Sequence, residues 1–269
     1  MIRHINICWI LFFSISLSAQ HWERMDSLVL QDSVDQILYD NLSSQYILSG
    51  GSRIQKINTK GIRSYYQNNR LGMIGQVDIR DPMKVMLFYP IFQTILTLDN
   101  SLSQTGKLNF AGTSIGTVGA MCRAIDNQIW IYDLSNRCLN KIDPGGNLLI
   151  RGIPNYTIRL DPQLQVRLWQ EGEYLMLWQP GLSVFLFDNF GKYIRELPLP
   201  TNSRLVGVKD YIYYISDGDL RAYDYSRFAL EPDKVILTGI QPDERLAIDY
   251  TSNTIYKYDK NFKLQRWIP

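Results

Sequence analysis

Residues 129–147, I-W-I-Y-D-L-S-N-R-C-L-N-K-I-D-P-G-G-N, contain two β-rich runs joined by a short polar link. Trp, Tyr and Ile favour strands, and two such runs around a short turn read as a hairpin. The second run ends in Asp143, with Gly146 three residues later. There a carboxylate can close an Asx turn while the glycine takes the positive φ of a short hairpin loop.

The same unit recurs on both sides of this stretch. Six short alternating runs end in Asn or Asp: R-I-Q-K-I-N58, T-I-L-T-L-D99, C-L-N-K-I-D143, S-V-F-L-F-D188, D-L-R-A-Y-D224 and T-I-Y-K-Y-D259. Their spacings are 41, 44, 45, 36 and 35 residues, a period that marks a repeat architecture. Each run is preceded by another β-rich run, so the pairs read as the second and third strands of successive units. The D/N-x-x-G turn follows Asn58, Asp143 and Asp188. A further acidic position, at Asp40, Asp81, Asp126, Glu171, Asp210 and Asp243, closes the run before each hairpin, which supplies one more strand.

Four strands in about forty residues is the unit of a β-propeller, in which each sheet packs against the next and radial closure limits exposed edges. The expected fold is all-β: a six-bladed β-propeller over residues 33–269, with about four antiparallel strands per blade. A β-solenoid is the alternative, and hairpin turns inside each repeat argue against it. In the fifth repeat Phe228–Leu230 is the expected outer strand. The patterns at 129–147 and at 185–193, F-L-F-D-N-F-G-K-Y, resemble the NHL and TolB-like six-bladed propellers, where a strand ends in Asp, then a turn, then Gly. The resemblance spans the repeats as architecture and implies no shared activity; the glycine is absent near Asp99, Asp224 and Asp259.

The start, M-I-R-H-I-N-I-C-W-I-L-F-F-S-I-S-L-S-A-Q, has a charged opening, an apolar stretch and small residues before Gln20. It reads as a signal peptide over 1–19, too short in its apolar core for a comfortable spanning helix. Its ending resembles signal peptides of bacterial envelope proteins, which implies an exported protein of the periplasm, the cell envelope or the extracellular space, with no transmembrane segment after cleavage. Residues 20–32 form an N-terminal segment, and Ser27–Leu30 is a candidate ring-closing strand beside the last blade. Cys122 and Cys138 then remain, on the first and third strands of one blade, too far apart to bridge; both are expected as buried small hydrophobes.

Lys and Arg number 28 against 26 Asp and Glu, interleaved along the chain, so no basic stripe suits nucleic acid. Of the two histidines only His21 follows the signal, outside every blade. A Ser-His or Cys-His nucleophile system needs an imidazole base, and most zinc and iron sites use one. No catalytic residue, cofactor-binding residue, metal ligand or cofactor is therefore assigned. The strand-ending acids fit turns, and Asp217-Gly218-Asp219 fits a two-residue hairpin better than a calcium loop.

Loop aromatics are harder to assign to packing. Tyr89, Phe92 and Tyr156 lie in or beside connections on one side of the ring, and the longest connection, 151–163, carries Tyr156 and Arg159. Long loops on a rigid scaffold are where recognition resides, and Tyr with Arg favours hot spots. The expected function is a non-catalytic envelope binding module that docks another protein through Tyr89, Phe92, Tyr156 and Arg159. The alternatives are a carbohydrate-binding propeller and a small-molecule or glycan enzyme of lactonase or lyase type. The enzyme would use carboxylates and a metal in the central channel, with Asp78, Arg123, Arg167 and Arg204 converging at the axis. Any small ligand is left open.

Cleavage is expected between Ala19 and Gln20. The intact mass of protein purified from the envelope fraction checks this, and a membrane-held chain that retains Met1 would reject it.

Overall fold

The computed structural model describes residues 23–24, 33–161, 163–200, 202–226, 233–259 and 265–267. Six four-stranded antiparallel sheets form the blades of a propeller. Blade one comprises β2 (Val34–Tyr39), β3 (Gln45–Ser49), β4 (Arg53–Ile57) and β5 (Arg63–Gln67). Blade two is β6 (Gln76–Asp78), β7 (Val85–Tyr89), β8 (Thr94–Leu98) and β9 (Gln104–Asn109). Blade three is β10 (Val118–Arg123), β11 (Ile129–Asp133), β12 (Cys138–Ile142) and β13 (Leu148–Ile150). Blade four is β14 (Arg167–Glu171), β15 (Tyr174–Trp178), β16 (Val184–Asp188) and β17 (Tyr193–Leu197). Blade five is β18 (Arg204–Val208), β19 (Ile212–Ser216), β20 (Asp219–Tyr223) and β21 (Lys234–Leu237). Blade six is β22 (Arg245–Asp249), β23 (Thr254–Tyr258), β24 (Gln265–Trp267) and, from the other end of the chain, β1 (Glu23–Arg24).

Sequential strands pair within each blade, and the first strand is innermost: β2, β6, β14, β18 and β22 line an axial cavity. The quoted hairpin pairs Ile129 with Ile142 and Asp133 with Cys138. Middle strands are apolar on both faces because a neighbouring blade covers each; V-M-L-F-Y of β7 and I-W-I-Y-D of β11 are buried at every position. Outer strands alternate instead, as in R-S-Y-Y-Q of β5.

The core is divided into six apolar clusters, one between each pair of neighbouring blades. Leu48 and Ile54 of blade one meet Val85 and Leu98 of blade two, and Trp130 and Leu139 of blade three meet Leu168 and Phe185 of blade four. Ring closure is visible in the cluster that joins Val34, Ile37 and Ile47 of blade one to Ala247 and Tyr258 of blade six. Cys122 and Cys138 are buried and free, on the first and third strands of blade three.

The sixth repeat differs from the sequence expectation. R-L-A-I-D-Y and T-I-Y-K-Y-D form the first and second strands of blade six, not the second and third, and Gln265–Trp267 is the third. The frame shifts because the fourth strand comes from the N-terminus, where Glu23 pairs with Arg266 and Arg24 with Gln265. Asp249 therefore closes the first turn of this blade, accepting from Thr251 N at 3.0 Å, while Asp243 lies in the connection from blade five. In that blade the outer strand is Lys234–Leu237; Phe228–Leu230, like Ser27–Leu30, lies outside the described residues.

The strand-ending acids make Asx turns. Asn58, Asp143 and Asp188 each accept from the N–H four residues on, at 2.9, 2.8 and 2.9 Å. Asp99 makes the same turn without glycine: Leu102 takes φ +62° and is held by burial in the cluster between blades one and two.

Deleting residues from Arg245 onward removes β22–β24 and uncovers the apolar flanks of blades one and five. The truncated chain is expected to aggregate or lose its cooperative melt, by size exclusion and thermal unfolding. A soluble chain with an unchanged melting profile would show repeats that depend only on their neighbours.

Candidate functional site

Antiparallel pairing sends the second-to-third-strand hairpins and the connections between blades to one face, and the remaining turns to the other. The first face carries the long connections. The longest, between β13 and β14, is pinned at several points. Gly152 N donates to Asn140 Oδ1 at 3.0 Å, Asn155 N to Arg137 O at 2.9 Å, and Asp161 N to Gln179 Oε1 at 2.8 Å. Ile158 and Val166 are buried beneath it.

On this fixed loop Ile153 is 81% exposed and Tyr156 69%, with Arg159 also exposed and the Arg137 guanidinium 5.8 Å from the Tyr156 ring centre. Phe92 is exposed on the β7–β8 hairpin beside Ile91, while Met73 and Leu164 are exposed on neighbouring connections. Gln165 Nε2 donates to Gly75 O and so ties the long connection to the one that carries Met73. Phe92, Tyr156 and Arg159 thus share a face. Tyr89 does not join them: it ends β7 with 0% exposure, packed between blades one and two, because the adjacent sheet covers a strand to its last residue. Its proposed contact with a partner is withdrawn. Ile91, Met73, Ile153 and Leu164 were missed by sequence reasoning, which weighed only aromatic and charged loop residues.

On the opposite face Asp40 accepts from Leu42 N and Ser44 N at 2.9 and 2.8 Å, and Asp81 from Met83 N at 2.9 Å. Asp40 is also bonded to Tyr46 Oη at 3.1 Å and lies 3.8 Å from Lys56 Nζ, which donates to Asn100 of the next blade. These acids build turns and blade contacts.

At the axis the inner strands pair on one edge only, which leaves a row of N–H and C=O groups needing partners. Blade two supplies them to blades three and four from alternate residues. Gln76 accepts from Met121 N at 3.4 Å and donates to Leu168 O at 2.7 Å. Asp78 accepts from Arg123 N at 2.8 Å; Arg80 donates to Gln170 O at 2.5 Å and to Arg123 O. Asp78 and Arg80 pair at 2.7 Å. Burial alone would raise the Asp78 pKa, but the Arg80 charge and the hydrogen bonds hold it below the ordinary carboxylate value.

Asp78, Arg123, Arg167 and Arg204 do not converge as a set, since only Asp78 and Arg167 line the axial cavity. Arg123 donates to Lys84 O and lies 3.9 Å from Asp81, and Arg204 donates to the carbonyls of Pro242 and Glu244 at 2.9 Å each. Among the described residues no three His, Cys, Asp or Glu side chains gather as metal ligands. Beside this filled sector a cavity of about 340 Å³ remains, with Arg167 and Tyr250 in its walls.

The architecture is that of a six-bladed β-propeller, and solved structures agree. A streptogramin B lyase superposes with TM-score 0.57 at 13% identity, over 93% of this chain and 87% of that one. Virginiamycin B lyase from Staphylococcus aureus gives 0.58 at 12%, over 89% and 82%. An auxiliary nutrient binding protein from Bacteroides ovatus gives 0.61 at 12%, over 92% and 73%. At such identities the likeness is one of fold. No protein-family model and no curated protein sequence matches the chain. No helix among the described residues is long and apolar enough to cross a membrane.

Asp78→Asn keeps the shape but leaves Arg80 without its counter-charge. A loss of about 2–3 kcal/mol is expected in urea unfolding at neutral pH. Because the folded pKa lies below the unfolded one, the carboxylate's contribution is complete above about pH 3.9. It disappears as pH falls through the folded value. The gap between wild type and variant should therefore close in acid; a gap that persists there would assign the loss to something other than the charge.

Proposed function

We propose that this protein is a non-catalytic docking module of the cell envelope that holds another protein against the face bearing the long connections. The observation that carries the reading is the set of exposed side chains fixed there: Met73, Ile91, Phe92, Ile153, Tyr156 and Leu164, with Arg159 among them. Apolar anchors with Tyr and Arg, on loops bonded to a rigid ring, are the composition of a protein interface. Export, and kinship with the NHL and TolB-like propellers, belong to the same reading and rest on the N-terminal pattern and the D/N-x-x-G turns.

The double variant Tyr156→Ala with Arg159→Ala is expected to melt within a few degrees of wild type, as surface substitutions do, and to lose the partner that wild type recovers from envelope extracts. Phe190→Ala, at an exposed turn of the opposite face, should keep it. Unaltered recovery by the double variant would sink the proposal.

A further inference from the structure

We propose that the axial cavity binds a small carboxylate with an apolar body, its charge held by Arg167. The inference is independent of the docking face. Four arginines on or beside the inner strands are engaged: Arg80 with Gln170 O, Arg123 with Lys84 O, Arg204 with Glu244 O and Arg245 with Asp35 O. The side chain of Arg167, which opens β14 and lines the cavity, makes no hydrogen bond or ion pair among the described residues. Burial is the largest influence on it, and the nearby Arg245 charge adds to that; both disfavour its cation, with Tyr258 only partly offsetting them. A guanidinium stays charged under such pressure, and this one is half-buried, its nitrogens open to the cavity with no ion pair beside them. A carboxylate would supply the missing counter-charge through paired N–H···O bonds.

The cavity's other walls fix the rest of the ligand. About 340 Å³ falls in the range of small-molecule sites. Trp169, Val206, Val208 and Ile248 give it apolar sides. Another wall carries Tyr250, whose buried hydroxyl has no hydrogen-bond partner. The lack of a side chain at Gly207 leaves room for that hydroxyl, since a Cβ there would overlap it. Among the lining cations Arg80 is paired with Asp78, and Lys209 pulls down the Glu171 carboxyl that burial pushes up. Arg167 has no such acid, and the apolar sides suit an organic acid better than inorganic phosphate.

Isothermal titration calorimetry on the full mature chain tests this with 4-phenylbutyrate, its uncharged amide and inorganic phosphate. The acid should bind at least ten-fold more tightly than the amide, and phosphate should give no heat. Arg167→Gln should bring the acid down to the amide's level, while its unliganded melting temperature stays level or rises. Arg167→Lys, which keeps a cation but not the planar fork, should fall between. No binding of the acid, equal binding of acid and amide, a preference for phosphate, or undiminished binding by Arg167→Gln would each overturn the proposal. So would an unfolded Arg167→Gln chain, which would make Arg167 a structural residue.

Discussion

The propeller depends on satisfying the bare edge of its innermost strands. In an open sheet such an edge faces water or a covering helix, but here it faces the axis, where six edges meet. The solution at blades two to four is side-chain bonding: Gln76, Asp78 and Arg80 present alternate polar groups to the main chain of β10 and β14. Gln170 Oε1 extends the arrangement by accepting from Ile125 N at 3.1 Å. Buried polar groups of this kind are stabilising only when every member is paired, and the Asp78–Arg80 ion pair supplies the strongest link.

Once the axis is tied on that side, the apolar clusters between blades do the remaining work. Each blade offers both faces of its middle strands to its neighbours, so no blade has a core of its own. That is why long connections can be carried without loosening the ring: Ile158 and Val166 anchor the longest of them in the cluster between blades three and four. Its exposed residues are presented from a rigid base. The rest of the axis, lined by blades one, two, four, five and six, is left unfilled, and there Arg167 stands without an ion pair.

Five of the six central hairpins are legible in the sequence because a middle strand covered on both sides needs an apolar run, and the turn after it needs Asp or Asn. These are local demands. The sixth hairpin follows the same local rules while occupying different positions in its blade, and only the pairing of Glu23 with Arg266 reveals this. Tyr89 illustrates the same limit at the candidate site: a tyrosine before proline resembles a loop residue until the neighbouring blade is placed over it. Phe92, Tyr156 and Arg159 could be read as exposed because their segments lack strand pattern. The apolar members of the same face could not, since an isolated Ile or Met carries no mark of exposure. The role of Gln76, Asp78 and Arg80 was hidden because their partners lie 43 to 92 residues away.

The two-ended construction of blade six also sets an order of events. Glu23 and Arg24 must join Gln265–Trp267, a strand about 240 residues further along the chain. Blades one to five can stack each on its predecessor, but the ring cannot close until the two pieces of blade six meet. Until then blade one presents an uncovered apolar flank around Val34, Ile37 and Ile47. Such a partly folded intermediate is sticky, and closing contacts so distant in sequence are slow to form. The chain therefore has a built-in interval of vulnerability whose length is set by the time blade six takes to assemble, and a chaperone that shields this flank would act at that stage.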